Sequence, residues 1–461
     1  MRALPSGVIQ KAVLLVAFLG VLALPFIWRP PRAVVHDMPR DARLPERKLV
    51  IISPHWEGVR TEFARAFSDW TARRFGHTTK VEWLDLGGTS DAIRYVRSEF
   101  TRAPQGINID LFFGGGVDPF LQLVKDGLLS PCHLPDEVLK AIPQKFGGFE
   151  CYDAEQRWFG ACLSGFGIIF NKKVCQLARL PEPRTWEDMG RPAYFTWIGS
   201  GDPRSSGSVH MVYEIILQAY GWERGWANIV RMGGNTRNFS RSASEVPKDC
   251  AVGEVVCGMC IDVYAWRQVA EAGADRMGFH LPEGLTAVNP DGIAVLKGAP
   301  ERELAERFVE FVLSKPGLKL WVLKRGAPGG PQKFELGRMS IIPGFAARLG
   351  DQASVTEDPY KWKTGFLYDA NKGSLRWTIL NDLLGAVLID THSELAAAWG
   401  KLKDLPADDP RVQTLIRAPC TEDELLGMAK SQWNDPAFRA ATRGQWSSEA
   451  KARYKRLAGG R

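Results

Sequence analysis

The chain has 461 residues, a formal net charge of +7 at pH 7, and 45% hydrophobic against 24% charged residues. This length predicts two to four domains or one large two-lobed body. The composition is that of a globular protein, which excludes a disordered chain or an integral membrane bundle. No dense Lys/Arg block occurs, so nothing indicates a nucleic-acid partner.

The N-terminus has the pattern of an export signal. Arg2 and Lys11 precede an uninterrupted apolar run from Ala12 to Trp28. As a helix this run would reach about 25 Å, slightly less than the ~30 Å hydrocarbon core of a bilayer. We expect either an uncleaved anchor or a cleaved signal peptide, and in both cases the rest of the chain lies outside the cytoplasm. Residues 29–46, rich in Pro and charge, are predicted to form a linker.

The elements that follow the linker predict a parallel sheet. Residues 48–53, 80–84 and 107–113 are apolar, strand-like runs separated by two helical patterns. The order β-α-β-α-β at these intervals favours a sheet covered by helices. Ligands of such open sheets collect at the carboxyl ends of the strands, so this end of the sheet is the expected binding edge.

A second α/β unit follows. Trp158–Asn171 contains a predicted strand, and residues 193–198, 253–263 and 281–297 supply three more. Residues 301–313 have helical periodicity, and the last hundred or so residues are predicted to be mostly helical. The picture is two α/β units of comparable size with a helical tail.

The eight cysteines fit an oxidising compartment, in which disulfides are allowed. Possible bridges are Cys132–Cys151, Cys162–Cys175 and Cys250–Cys257, and the sequence does not fix the connectivity. Cys257-Gly-Met-Cys260 has the C-x-x-C spacing of redox and metal sites. Because it lies in an apolar run with no second C-x-x-C and no clustered His, we interpret these cysteines as structural, either buried or disulfide-bonded, with a redox or metal role as the alternative.

No catalytic constellation is visible. Around Ser164 the glycines of the G-x-S-x-G motif are replaced by Cys162 and Phe166. The seven histidines show no metal-binding spacing, and no G-x-x-x-x-G-K-[ST] loop occurs. A glycosidase pair among the 52 acidic residues would leave no sequence pattern. The sequence gives no positive support for an enzyme, and we predict no catalytic residue and no metal site.

The stretch Gly199–Trp222, GSGDPRSSGSVHMVYEIILQAYGW, places small polar residues at the start of a helix. The first backbone N–H groups of a helix are unpaired, and the helix dipole is positive there. Ser205, Ser206 and Ser208 would add hydroxyl donors, and Gly207 allows close approach to the backbone. This pattern suits a carboxylate, phosphate or phosphonate. The alternative is that Ser205 or Ser206 only caps the helix.

The order of the motifs resembles the substrate-binding proteins of ABC importers, in the ferric-iron and 2-aminoethylphosphonate branch. The resemblance covers residues 48 to about 345 and is carried by IISPHWEG, IDLFFGGG, WFGACLSGFGIIFNKK, PRTWEDM, GDPRSSGSVHMVYEIILQAYG, GEVVCGMCIDVYAWR and PDGIAVLKGAPERELAERFVEFVLS. Single motifs are only moderately specific, but the ordered set is strong.

The resemblance implies an α/β fold of the two-lobed periplasmic-binding-protein clamshell kind (type II). Each lobe would be a mainly parallel sheet with flanking helices, joined to an N-terminal hydrophobic helix and a helical C-terminal extension. The expected divisions are 1–28 for the signal peptide or anchor, 29–46 for the linker, 47–155 with 286–325 for lobe 1, 156–285 with 326–345 for lobe 2, and 346–461 for an extension packing on the lobes.

The resemblance also implies a ligand site. The positions that match the family's ligand contacts are His55, Thr89, Ser90, Gly116, Ser205, Ser206, Gly207, Ser208 and Tyr264, and Asp262 lies beside the last of them. His55 could instead be a solvated loop histidine, and Tyr264 a packed hinge aromatic. Ferric-binding members carry adjacent tyrosines, whose phenolates are hard ligands for the metal. Here Val263 replaces one of the pair, which disfavours ferric ion unless Asp262 substitutes.

The expected function is therefore capture of a small anionic solute (a phosphonate, phosphate ester or carboxylate) and its delivery to an ABC permease. No cofactor, no nucleic acid and a monomeric state are expected. The protein would lie in the periplasm or on the outer face of the cytoplasmic membrane, anchored by residues 12–28. The alternatives are a ferric-ion-binding protein, with iron as the ligand, and a tethered receptor or sensor that uses the same fold.

Overall fold

The computed structural model describes residues 44–355, 357–362 and 366–459. The predicted anchor, residues 12–28, and most of the predicted linker lie outside these ranges. Within them, no helix combines the length and apolarity needed to cross a bilayer. Residues Glu46–Arg461 form one compact unit.

Ten strands form one mixed sheet, in the order β2-β1-β3-β12-β7-β10-β8-β9, with β11 added beside β7 and β4 beside β12. A separate hairpin consists of β5 and β6. The strands are β1 Glu46–Ile52, β2 Thr78–Leu84, β3 Leu111–Phe113, β4 Leu129–Ser130, β5 Lys145–Phe146, β6 Phe149–Glu150, β7 Phe159–Asn171, β8 Ile198–Gly201, β9 Thr236–Ser240, β10 Cys257–Ile261, β11 Met277–His280 and β12 Val288–Leu296.

Helices cover the sheet and form the C-terminal region. They are α1 Glu57–Phe75, α2 Thr89–Arg102, α3 Val117–Lys125, α4 Asp136–Leu139, α5 Lys172–Ala178, α6 Trp186–Met189, α7 Gly207–Tyr220, α8 Trp222–Asn235, α9 Glu245–Val252, α10 Asp262–Ala272, α11 Arg302–Leu313, α12 Lys315–Val322, α13 Ala370–Leu384, α14 His392–Leu402, α15 Pro410–Ile416, α16 Glu422–Ser431 and α17 Pro436–Leu457. A π-helical turn, Gly385–Ile389, follows α13.

The long strand β7 belongs to both parts of the sheet. Its residues 159–165 pair with β12, and its residues 166–171 pair with β10 and β11. We call β1–β4, β12 and residues 159–165 the first sheet segment, and residues 166–171 with β8–β11 the second sheet segment. All of β7 is buried, as expected for a strand covered on both faces.

Parallel pairing occurs in the outer strands, as the β-α-β order predicts. β1 pairs in parallel with β2 and β3, and β8 pairs in parallel with β9 and β10. The central strands β12 and β7 are antiparallel to their neighbours, because they connect the two segments instead of following crossover helices. The mixed α/β architecture with a helical C-terminal region is confirmed.

The predicted boundaries of individual strands differ in places from the observed ones. The apolar run 193–198 is mostly a turn, with a short 3₁₀ helix at Pro192–Tyr194, and β8 starts only at Ile198. Its aromatic residues made it resemble a strand, but Tyr194 is instead buried in the core. The run 253–263 contains β10, yet its last two residues already belong to α10.

The C-terminal extension is anchored to both segments through buried polar contacts. The hydroxyl of Tyr368 donates to Asp118 Oδ2 (2.5 Å) in α3, which follows β3. Arg376 in α13 forms a fully buried ion pair with Glu214 in α7 (2.7 Å), which follows β8. The extension therefore contacts a helix of each segment.

All eight cysteines lie within the described residues and are free thiols. Cys257 and Cys260 are buried in and beside the core, which agrees with a structural role. Burial raises the pKa of both thiols well above the ordinary value, so neither is a reactive thiolate at neutral pH.

Candidate functional site

A cavity of about 420 Å³ lies where the two sheet segments meet. Its wall combines loops that follow strands of both segments, at the carboxyl ends where ligands of open sheets collect. The predicted residues that line it are His55, Thr89, Gly116, Ser205, Ser206, Gly207, Ser208 and Tyr264. Ser90 and Asp262 do not line it.

The N-terminus of α7 faces this cavity with unpaired donors. Ser206 is the N-cap, and its hydroxyl accepts a hydrogen bond from the amide of Val209, so the capping interpretation holds for this residue. Within the described residues, the amides of Gly207 and Ser208 have no hydrogen-bond acceptor. Two backbone donors at the positive end of a 14-residue helix form an anion cradle.

Arg241 adds a full positive charge to this wall. It directly follows β9, is exposed and lines the cavity. The other cavity arginines are paired: Arg60 contacts Asp85 at 2.8 Å, and Arg338 contacts Asp291 at 3.4 Å. No ion pair of Arg241 is recorded in the described part of the chain, so its guanidinium is available to a ligand.

Two glycines let the segments approach each other beside the cavity. A Cβ on Gly88, which precedes α2, would overlap the carbonyl oxygen of Ser205. A Cβ on Gly207 would lie 2.7 Å from Cβ of Thr89. The start of α2 thus touches the start of α7, and only residues without side chains allow this spacing.

A buried polar cluster forms the floor of the cavity. Nε2 of His55 lies 2.9 Å from Asp291 Oδ2, and the amide of Gly115 donates to Asp291 Oδ1 at 2.6 Å. Arg338 contacts the same carboxylate and also donates to the hydroxyl of Ser164. His55 is therefore a buried, hydrogen-bonded residue and not a solvated loop histidine.

The charges of this cluster follow from burial and partners. Burial lowers the pKa of His55, although the Asp291 carboxylate opposes this effect. Burial alone would raise the pKa of Asp291, but His55, Arg338 and the amide of Gly116 lower it overall. At neutral pH we therefore expect a neutral His55 that donates its Nε2 proton to an ionised Asp291. The carboxylate and Arg338 cancel in charge, which leaves the α7 wall positive.

Tyr264 and Asp262 sit in the first turn of α10 with different surroundings. Tyr264 lines the cavity, and burial raises the pKa of its phenol. Asp262 is fully buried, and its carboxylate accepts hydrogen bonds from the amides of Gly165 and Val263, each at 2.6 Å. Among the described residues no group of three or more His, Cys, Asp or Glu is placed to hold a metal.

Asp262→Asn should change how stability depends on pH. Burial raises the pKa of Asp262 to about 7, whereas an unfolded Asp titrates near ~3.9. The folded state thus binds more protons between these values, so Asp262 makes the free energy of unfolding fall as pH rises from about 4 to 7, by roughly 4 kcal/mol at most. Denaturant unfolding at several pH values measures the free energy of unfolding of wild type and variant. The wild-type value minus the variant value should fall between pH 4 and 7 and stay constant above pH 7.

The matched control is Asp408→Asn, which removes an exposed carboxylate. Its difference from wild type should not have this slope. A flat wild-type minus Asp262→Asn difference from pH 4 to 8 would show that Asp262 does not titrate in this range.

Thr89 contributes to the wall of the first cavity, and its neighbour Ser90 lies on the other side of that wall. Its hydroxyl donates to the carbonyl of Pro203 at 3.1 Å, and its side chain faces a second cavity. Its role here is to join the start of α2 to the loop before α7.

Sequence reasoning did not identify Asp291, Arg338 and Arg241. Asp291 lies inside a fully buried strand, VNPDGIAVL, and an acidic residue in such a mainly apolar run is the signal that could have revealed it. Arg338 and Arg241 stand in irregular segments, where no periodic pattern reports which side chains turn inward.

A family model described as bacterial extracellular solute-binding protein matches residues 107–342, just over half of the chain. The chain therefore belongs to this family, which confirms the resemblance carried by the order of its motifs. The members of the family are extracellular binding proteins by description.

One curated relative is the phosphoglycerate transport regulatory protein PgtC of Salmonella typhimurium, 31% identical over 158 residues. The match covers 34% of this chain and 39% of the relative, so it spans about two-fifths of that protein's length. An uncharacterized protein of Haemophilus influenzae is 25% identical over 257 residues, covering 54% of this chain and 70% of the relative.

Solved structures share the fold at low sequence identity. The periplasmic binding protein AfuA of Actinobacillus pleuropneumoniae, solved with fructose-6-phosphate bound, is 20% identical with a TM-score of 0.59, covering 78% of this chain and 99% of AfuA. The apo ferric ion-binding protein A of Pasteurella haemolytica is 13% identical with a TM-score of 0.55, covering 73% of this chain and 96% of that protein. At these identities the likeness concerns the fold alone.

Proposed function

We propose that this protein captures a small phosphorylated solute in the cavity between the two sheet segments and delivers it unchanged to an ABC permease. The observation that carries the proposal is the pair of unpaired amides, Gly207 and Ser208, facing the cavity beside the unpaired Arg241. A phosphate needs several converging donors and a positive field, and a helix start with an adjacent arginine supplies both. Residues 12–28 would anchor the protein on the outer face of the cytoplasmic membrane.

The properties of the cavity support a small organic anion. About 420 Å³ lies in the range of small-molecule sites and leaves room for an organic part beside the anionic group. PgtC is named for phosphoglycerate transport, and AfuA was solved with fructose-6-phosphate. Both compounds are phosphate esters, and this is the solute class that we assign to the cavity.

Ferric ion as the ligand has weaker support. Tyr264 is the single phenol at the position where ferric-binding members have two, because Val263 replaces its neighbour. Asp262 cannot readily substitute, since both of its oxygens accept hydrogen bonds from backbone amides. The remaining cavity donors are mostly hydroxyls, amides and arginines, which suit an anion better than a cation.

A regulatory receptor is a second candidate, and one observation favours it. PgtC is named a transport regulatory protein. A receptor would use the same cavity and the same anion cradle, but its partner would be a membrane signalling protein instead of a permease. The genes beside this one, for permease and ATPase or for a sensor kinase, would decide between the two.

A thermal-shift titration with matched compounds tests the solute class. We expect 3-phosphoglycerate or fructose 6-phosphate to stabilise the 461-residue chain, with glycerate and fructose giving no shift, because a ligand stabilises the state that binds it. The recovered phosphorylated compound should be chemically unchanged. Stabilisation by ferric citrate alone, consumption of the ligand, or no shift with any anion would contradict the proposal.

Arg241→Gln combined with Ser208→Ala should weaken binding of the phosphorylated compound by roughly tenfold or more, because charge-assisted hydrogen bonds to the phosphate are lost. Calorimetric titration measures the change. The control is Arg237→Gln, which removes an exposed arginine of β9 that does not line the cavity. Equal affinities of wild type, the double variant and the control would contradict the assignment of the Arg241 and Ser208 side chains to the phosphate site.

A further inference from the structure

A second cavity, of about 600 Å³, lies between α2 and the C-terminal extension. Five arginines line it, together with a single carboxylate among the described residues. The arginines are Arg94, Arg97, Arg204, Arg439 and Arg443, and the carboxylate is Asp382. This imbalance distinguishes the second cavity from the first, whose wall carries similar numbers of Arg and Asp residues.

The arginines come from three separate elements. Two lie one turn apart on α2, one lies in the loop before α7, and two lie one turn apart on α17. Like charges brought together from distant parts of the chain repel each other. Here each arginine is paired with a carboxylate: Arg94 with Asp91, Arg204 with Asp202 and Asp390, and the other three with Asp126 or Asp382. Four of these five carboxylates lie outside the cavity lining, so the wall of the cavity itself presents mainly guanidinium groups.

The existing ion pairs leave donors free. Arg97 uses Nε to contact Asp126 at 2.8 Å, and Arg443 uses Nε to contact Asp382 at 3.5 Å. Arg439 also uses Nε on Asp382. In the part of the chain that the structure describes, the terminal nitrogens of these three guanidinium groups donate no hydrogen bond. Terminal nitrogens are the atoms that grip phosphate oxygens in a fork.

We propose that this second cavity binds a small anion that carries two or more negative charges on phosphate-type oxygens. Arg97 from one wall and Arg443 from the other would contact it, and their side chains are 37% and 43% exposed. Asn381 and Ser98 also line the cavity and would add neutral hydrogen bonds. The proposal does not depend on the solute held in the first cavity.

The two cavities share a wall, which links their occupancy. Thr89 and Ser205 line the first cavity, whereas their neighbours Ser90 and Arg204 line the second. An anion in the second cavity would hold α2 against the loop before α7, and this contact also encloses the first cavity. Each ligand should therefore tighten binding of the other, because coupling between sites is reciprocal.

Titration of the 461-residue chain with pyrophosphate tests the second site. Binding in the first cavity is weakened by Arg241→Gln with Ser208→Ala, so that a loss caused by changes in the second cavity is measured on a reduced background. In this background we expect saturable binding at low ionic strength. Adding Arg97→Gln and Arg443→Gln should weaken it by roughly tenfold or more, since hydrogen bonds between charged groups are lost.

The control adds Arg73→Gln and Arg325→Gln instead, two exposed arginines outside both cavities with the same change in net charge. It should bind pyrophosphate like the background, and all variants should show the same unfolding midpoint without ligand. Absence of saturable binding in the background, or an equal loss of affinity in the control, would overturn the proposal. In the latter case binding would depend only on net charge.

Discussion

Arg376→Met should lower the free energy of unfolding by about 3–5 kcal/mol, the cost of leaving one partner of a buried ion pair uncompensated. Arg376 and Glu214 are both fully buried, and the guanidinium also contacts Glu422 at 2.5 Å. Charge and hydrogen bonds from Arg376 keep the pKa of Glu214 below its usual value despite burial. Without Arg376 this carboxylate must take up a proton or remain unpaired. Denaturant unfolding measures the change.

Two further variants show whether the loss comes from the unpaired charge. Arg376→Met combined with Glu214→Met should recover much of the stability, because replacing both partners by apolar residues is often neutral. Arg302→Met, in an exposed pair with Glu306, should have little effect. If Arg376→Met left stability within about 1 kcal/mol of wild type, the extension would not be held as described.

Gly88→Ala should weaken binding of the phosphorylated solute by at least about tenfold while leaving the fold intact. Gly88 has an ordinary φ of −83°, so alanine causes no backbone strain there. Its methyl group would instead meet the carbonyl of Ser205. The start of α2 must then move away from the start of α7, which opens the cavity that the solute should occupy.

The control for this prediction is Gly427→Ala in α16, where an added Cβ meets no atom within 4 Å. It should keep full affinity and raise helix stability slightly, by about 0.5–1 kcal/mol. Calorimetric titration of both variants with the same solute gives the comparison. Unchanged affinity in Gly88→Ala would mean that contact between α2 and the α7 loop is not needed for binding.

The elements that the sequence predicted best are those with strong local patterns. β1 and β7 were visible as apolar runs, and the start of α7 was visible from its serines and glycine, because hydrophobic runs and caps are local signals. The strand predicted for residues 193–198 was wrong because aromatic residues fit a buried turn as well as a strand. The buried turn depends on tertiary contacts that leave no local pattern, such as the hydrogen bond from the hydroxyl of Tyr194 to the carbonyl of Pro181.

Other features could not be read from the sequence because they depend on distant pairs. Asp291 lies 236 residues after its hydrogen-bond partner His55, and Arg338 contacts the carboxylate of Asp291, so this cluster exists only once the sheet has formed. The contact of α13 with both α3 and α7 likewise has no local signature. An arginine such as Arg376 is by residue type expected on the surface, and its buried position depends on its ion pairs with Glu214 and Glu422.

The measurement that tests the central claim most directly is a structure of the 461-residue chain with 3-phosphoglycerate or fructose 6-phosphate bound. We expect the phosphate oxygens within hydrogen-bond distance of the amides of Gly207 and Ser208, with the guanidinium of Arg241 beside them. A ligand outside the cavity, or one that turns its phosphate away from the start of α7, would contradict the account.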